Sequence, residues 1–182
     1  DVVMLDPSSA ALVGDVAKHI ARRGTLNMAG KSALEGLVDT DVGRLHYDYI
    51  AFIGNQGPDI ADSYGEKRNR CELLADGTTV FVGAGGPMGQ MHVQRAIELP
   101  NGPKTVIATE VSDQRLEAIK ERIAPLAEQN GRTLLTFNPT ASDQSLRDFV
   151  MEVTGGKGAD DVVVSVPIAG VMAEGDTLMN EN

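Results

Sequence analysis

Four glycines and one glutamate carry the chemistry that is legible in this chain. Gly83, Gly85, Gly86 and Gly89 follow the apolar run Val80-Phe81-Val82 and surround Pro87. A β-branched and aromatic run of that kind suits a short strand buried on both faces, and Pro87 suits the first position of a helix. The glycines between them supply a turn that side chains would obstruct. The free N–H groups and positive dipole end of the following helix point into that turn, and a pyrophosphate is the occupant they favour.

The spacing refines this. Gly83-Ala84-Gly85 opens as the pattern G-x-G-x-x-G requires, but its sixth position is Met88. Read one residue later, Ala84-Gly85-Gly86-Pro87-Met88-Gly89 gives A-x-G-x-x-G. That variant is physically acceptable: the first position needs a small residue, Gly86 admits the phosphate, and Gly89 lets the helix pack on the strand. The apolar run Thr105 to Thr109 ends at Glu110, which lies 110 − 89 = 21 residues after the last glycine. A carboxylate there accepts hydrogen bonds from ribose hydroxyls and repels a 2′-phosphate, so the cofactor expected is NAD rather than NADP. The competing readings are an ordinary strand-to-helix turn and an acid in the first turn of the next helix.

Around this stretch the chain alternates. Strands are expected at 2–5, 25–29, 49–53, 79–82, 105–109, 133–137 and 162–166, with helices between most of them. Leu12, Val16 and Ile20 at four-residue spacing predict an apolar helix face. Gly89, Val93, Ala96 and Ile97 mark the buried face of the helix after the glycine turn, and Leu116, Ile119, Ile123 and Leu126 that of the next, with Ser112 as its N-cap and Pro125 as a kink or early stop. Ile60 to Leu74 reads as a helix with a charged, solvated middle. Residues 31–45 read as a loop with one helical turn, and the tail after Val166 as too short for another unit. Continuously apolar strands alternating with helices define a doubly wound α/β domain of mostly parallel, Rossmann-like character.

The chain has 182 residues, 42% of them hydrophobic and 23% charged, and a formal charge of −10. One domain spanning 1–182 is the default at this length. The charge argues against nucleic acid and anionic membrane as partners. Cys71 is the only cysteine, so no intrachain disulfide forms, and a reducing cytoplasm is expected. The opening Asp1-Val2-Val3-Met4-Leu5 reads as a strand without a leader, as in a fragment or processed piece.

The order of the parts is unusual, because a glycine turn normally follows the first strand and here follows the fourth. Asp1, Val2, Val3 and Pro7 also match Asp161, Val162, Val163 and Pro167 at a constant offset of 160. This makes 1–76 a later-strand half placed ahead of a glycine-turn half at 77–182. Together they build one six-stranded sheet, either circularly permuted within a chain or completed by strand swapping between two chains, with a homodimer expected in the second case.

The segments VFVGAGGPMG, VIATEVSDQRLEAIK and FVMEVTGGKGADDVVVSV resemble the cofactor domain of the medium-chain, zinc-type alcohol and polyol dehydrogenases, and VAKHIARRGTLNMAG and YIAFIGNQG resemble that domain's fifth- and sixth-strand units. Sugar- and sugar-phosphate-reducing members are nearest. The resemblance implies pyrophosphate on Gly85, Gly86, Pro87 and Met88 with Gly83 in the same turn, ribose on Glu110, adenine near Ser112 and Arg115, and nicotinamide toward Val166 and the loop beginning at Ala29. It also implies an NAD(H)-binding domain of an oxidoreductase acting on an alcohol, polyol or sugar phosphate. The family's zinc-binding catalytic domain has no counterpart here, since His19, His46, Cys71 and His92 are scattered and match neither a closed nor an open zinc site. No metal site and no turnover by this chain alone are therefore expected. The rival readings are a noncatalytic Rossmann-like dimerisation module and an S-adenosylmethionine-dependent methyltransferase, whose fold also pairs a glycine turn with an acid.

Overall fold

The structure, a computed structural model, describes residues 1–65, 70 and 72–180. The chain divides into two compact units, Asp1–Cys71 and Glu72–Asn182. Among the described residues no helix is long and apolar enough to cross a membrane.

The first unit is a three-stranded parallel sheet in the order β1-β2-β3, formed by β1 (Val2–Leu5), β2 (Thr25–Ala29) and β3 (Ala51–Asn55). Helix α1 (Ala10–Lys18) covers one face, where Val13, Ala17 and Ile20 pack with Leu26 and Ile50. The expected apolar face shifts: Leu12 is 54% exposed, and Ala10, Val13, Gly14 and Ala17 are buried instead. At Gly14 the small residue is required by the loop that follows β2, which lies against the helix. A Cβ on Gly14 would already meet the Asp39 carbonyl oxygen at 2.7 Å. The loop at 31–45 contains the start of a short helix, α2 (Gly43–Tyr47).

Where the helix from Ile60 to Leu74 is expected to begin, the chain forms a 3₁₀ turn at Ile60–Tyr64, which ends at extended Gly65. Glu66, Lys67, Arg68 and Cys71 lie outside the described residues. The 3₁₀ turn is held to the sheet by a buried polar chain. Ser63 donates to Asn27 Oδ1 at 2.8 Å, and Asn55 donates to Ser63 at 2.6 Å and to the Asp59 carbonyl at 2.9 Å. With Asn27 and Ser63 fully buried, leaving any of these groups unpaired would cost about 1–3 kcal/mol, which fixes the turn.

The second unit is a four-stranded parallel sheet, β6-β5-β4-β7, made of β4 (Thr78–Val82), β5 (Thr105–Thr109), β6 (Thr133–Phe137) and β7 (Asp161–Val164). Helices α3 (Pro87–Glu98) and α4 (Asp113–Gln129) pack with Phe81, Val106 and Ala108 on one face. Val80, Val82 and Ile107 face a second cluster with Leu146 and Val150 of α5 (Leu146–Val153) and with Leu178. Both faces are therefore covered, as continuously apolar strands require. Pro125 sits inside α4 without ending it. The tail is also more ordered than its length implies. It forms α6 (Ala169–Asp176), buries Leu178 completely and bridges Met179 to Ala159.

The two similar segments lie in different units. β7 pairs with β4 in the four-stranded sheet, and β1 pairs with β2 in the three-stranded one. The pairing follows the connections: β4 meets β5 and β5 meets β6 through single helical crossovers, and α5 returns the chain to the open side of β4.

Candidate functional site

The carboxyl end of β4 brings the glycine turn and Glu110 together. Each glycine in the turn answers a different requirement. Gly83 has φ +76°, a left-handed value, and a Cβ there would collide with Val166 Cγ1. Gly89 faces the backbone of Ala84, whose atoms would lie 2.7 Å from a Cβ, so glycine allows α3 its close approach to the strand. Gly85 is pressed against the Glu110 carboxyl group. Gly86 differs from all three, with φ −76°, and a Cβ on it would meet no atom within 4 Å. Among the described residues, none outside its chain neighbours stands where a side chain at that position would meet it.

Gly86 is also the N-cap of α3, which has no side-chain cap and begins with Pro87. The first turn of a helix leaves N–H groups without intrahelical partners, and here they open toward the space beside Gly86. Pro87 and Met88 are exposed, Met88 to 58%. An uncapped helix start in an open glycine turn attracts an anion and admits its backbone approach.

Glu110 is 7% exposed and accepts three backbone hydrogen bonds. Its Oε2 accepts from the Gly85 N–H at 3.0 Å, and its Oε1 accepts from Val111 at 3.0 Å and Ser112 at 3.3 Å. These three N–H donors compensate a buried carboxylate. Arg115 Nη1 stands 3.9 Å from Oε2 with its side chain 61% exposed, too far for a hydrogen bond and near enough to bias the local field. Ser112 is the N-cap of α4 but caps no backbone donor with its hydroxyl, and its own N–H serves Glu110. Glu110, Ser112 and Arg115 thus stand together at the turn, joined to it through Gly85. Val166 reaches it by lying over Gly83.

Gln90 is a neighbour that the spacing argument passes over. Its Nε2 donates to the Gly85 carbonyl at 2.9 Å, and its Oε1 accepts from Arg122 Nη1 at 3.4 Å. Its one sequence signal is its place directly after the last glycine, in the first turn of α3.

Ala29 ends β2 in the first unit, and its loop is closed on itself by Asp6, whose carboxylate accepts from Lys31 N at 2.8 Å, Ser32 N at 2.9 Å and Ser32 Oγ at 3.0 Å. These bonds, the Ser32 N–H first, hold the Asp6 carboxyl below the ordinary value of 3.8. His19 Nδ1 lies 2.8 Å from the Asp15 carbonyl, His46 stacks edge-on against Tyr47, and His92 is exposed. Among the described residues no group of three or more His, Cys, Asp or Glu side chains is placed to hold a metal ion. A groove of about 430 Å³ on α3 is lined by Met91, Gln94, Arg95, Glu98, Leu99 and Pro100, toward the end of the helix away from the turn. It adds no chemistry to the glycine site.

Parallel strands, helices on both faces and a glycine turn leading into an uncapped helix define the second unit as a doubly wound, Rossmann-like domain. No protein-family model matches the chain. It is 25% identical over 107 residues to a mannitol-1-phosphate 5-dehydrogenase of Aliivibrio fischeri, a match covering 58% of this chain and 25% of the relative. It is 30% identical over 95 residues to an L-sorbose 1-phosphate reductase of Klebsiella pneumoniae, covering 52% of this chain and 22% of that one. A solved structure of the alcohol dehydrogenase TADH from Thermus sp. ATN1 aligns with 59% of this chain and 28% of its own at 20% identity, with a TM-score of 0.45. The matches thus span about a quarter of the length of the curated relatives. The similarity to these two relatives, a dehydrogenase and a reductase by name, is therefore partial.

Proposed function

We propose that the glycine-turn half binds NAD(H) as the cofactor domain of a medium-chain, zinc-type oxidoreductase acting on an alcohol, polyol or sugar phosphate. The carrying observation is Gly86. It is the one glycine of the turn with neither a left-handed backbone nor a neighbour to avoid, at the uncapped start of a twelve-residue helix, and a close-lying phosphate is what explains it. In this reading Gly85, Gly86, Pro87 and Met88 form the pyrophosphate cradle. Glu110 offers the remaining acceptor site on Oε2 to the adenosine ribose, Ser112 and Arg115 flank the adenine, and Gly83 with Val166 shapes the nicotinamide side. Bound nicotinamide supplies a hydride acceptor or donor. The polarising group for the substrate comes from a catalytic domain outside this chain, so the chain itself binds cofactor without turnover. The two halves, 1–76 and 77–182, belong to a single dinucleotide-binding domain in a cytoplasmic homodimer.

Calorimetric titration with NADH and NADPH tests the reading. NADH should bind saturably and more tightly than NADPH, and Gly86→Val should abolish binding while lowering stability by no more than about 1 kcal/mol, because a Cβ there meets no atom within 4 Å. Glu110→Gln should narrow the preference for NADH by removing the charge that repels a 2′-phosphate. No binding at millimolar cofactor would refute the proposal and favour the dimerisation module.

A further inference from the structure

We infer that Gln90 is a positioning residue of the glycine turn, fixing the Gly85–Gly86 peptide so that its N–H faces the phosphate, with Arg122 holding Gln90 in register. The inference rests on the dinucleotide reading above and adds to it a residue on α3 and one on α4.

A glycine-rich turn pays for its openness with backbone freedom, and nothing in its own covalent structure selects one peptide orientation. Here both sides of Gly85 are held by side chains. Its N–H donates to Glu110 Oε2 at 3.0 Å and its carbonyl accepts from Gln90 Nε2 at 2.9 Å. A trans peptide is planar, so its C=O and N–H point in opposite directions. Holding the Gly85 carbonyl against Gln90 therefore turns the Gly86 N–H away from that side chain. The opposite orientation would present a carbonyl oxygen to an anion and repel it.

The orientation of the Gln90 amide is itself determined. A backbone carbonyl only accepts and a guanidinium only donates, so the amide must turn its NH₂ to Gly85 and its oxygen to Arg122 Nη1, 3.4 Å away. Arg122 is exposed and its bond is long, which makes it the weaker member. Gln90 is half-buried in the first turn of α3, where a residue of any helix-favouring type would serve the fold. The choice of an amide is accounted for by the carbonyl it holds.

Gln90→Met keeps the length and flexibility of the side chain and removes both hydrogen bonds. In the Gln90→Met chain, NADH and ADP-ribose should bind about tenfold more weakly, the equivalent of one well-placed hydrogen bond. Adenosine, which carries no phosphate, should bind as it does to the unaltered chain by ligand-observed NMR. Without ligand, amide hydrogen exchange in the 83–90 segment should quicken while the melting temperature stays within a degree or two. Gln90→Glu, which sets a carboxylate against the Gly85 carbonyl, should weaken NADH further. An unaltered chain that binds NADH, paired with a Gln90→Met chain that binds it equally well, overturns this inference alone. So does an equal loss of adenosine and NADH binding, which reports a merely structural role, or unchanged exchange in the ligand-free segment. An unaltered chain that binds neither NADH nor ADP-ribose overturns the dinucleotide reading, and this inference with it.

Discussion

The two units solve the same problem, leading a parallel strand into a helix, in opposite ways. After β1 the chain passes through Asp6, Pro7 and Ser8 to Ser9, whose hydroxyl accepts from the Leu12 N–H at 3.3 Å and caps α1. After β4 it passes through glycines to Gly86, which has no side chain to offer α3. One helix start satisfies itself, and the other leaves its donors to an outside anion. The acids repeat the contrast. Asp6, ending β1, closes the loop that follows β2, and Glu110, ending β5, braces the turn that follows β4. The same carboxylate-to-backbone device seals one loop and holds the other open.

Substitutions can erase or exaggerate this contrast. The largest effect is expected at Gly89, where a side chain would strike the Ala84 backbone. Gly89→Val should destabilise the glycine half by about 3 kcal/mol through overpacking, seen as a lower urea midpoint. Ser9→Ala removes the cap of α1 and should cost about 1 kcal/mol in the same assay, with NADH affinity unchanged. Gly86→Ser makes the second turn resemble the first. It should raise the stability of the ligand-free chain by roughly a few tenths of a kcal/mol through capping, while NADH binding weakens because the hydroxyl competes for the donors. A Gly86→Ser chain that binds NADH as before would show that the turn does not cradle phosphate.

The smallest effect concerns Asp6. Its carboxyl is held below the ordinary value in the folded chain, so it stabilises the fold above about pH 4 and loses that contribution as pH falls through the lowered value. Acid unfolding followed by circular dichroism should therefore lose part of its pH dependence below pH 4 in Asp6→Asn. An identical acid limb would mean that the Asp6 hydrogen bonds do not distinguish folded from unfolded chain.

Much of the second unit was legible because its local signals agree with its packing. The stripe Gly89, Val93, Ala96 and Ile97 is the buried face of α3, and the run 105–109 is β5. The helix expected from Ile60 to Leu74 begins instead as a 3₁₀ turn, for a reason that periodicity does not carry. Asn27 lies far in sequence from Asn55 and Ser63 and joins them only in the fold, where burying the three paired favours a short 3₁₀ turn. α1 turned its small residues inward because the Asp39 backbone lies against Gly14, a contact between positions 25 residues apart. Gln90 escaped notice because its partner atom is a backbone carbonyl, which has no signature in residue type.

By itself the sequence determined the alternation of strands and helices, the glycine turn and the acid at the end of the next strand, since these depend on side-chain size, branching and spacing along the chain. Only the tertiary structure decided that β7 takes the place beside β4, that the strands divide between two sheets, and that Gly83, Gly85 and Gly89 answer to neighbours while Gly86 faces open space. The reason is physical: a glycine's identity is written in the sequence, but what its missing side chain makes room for is set by atoms brought close from elsewhere in the chain.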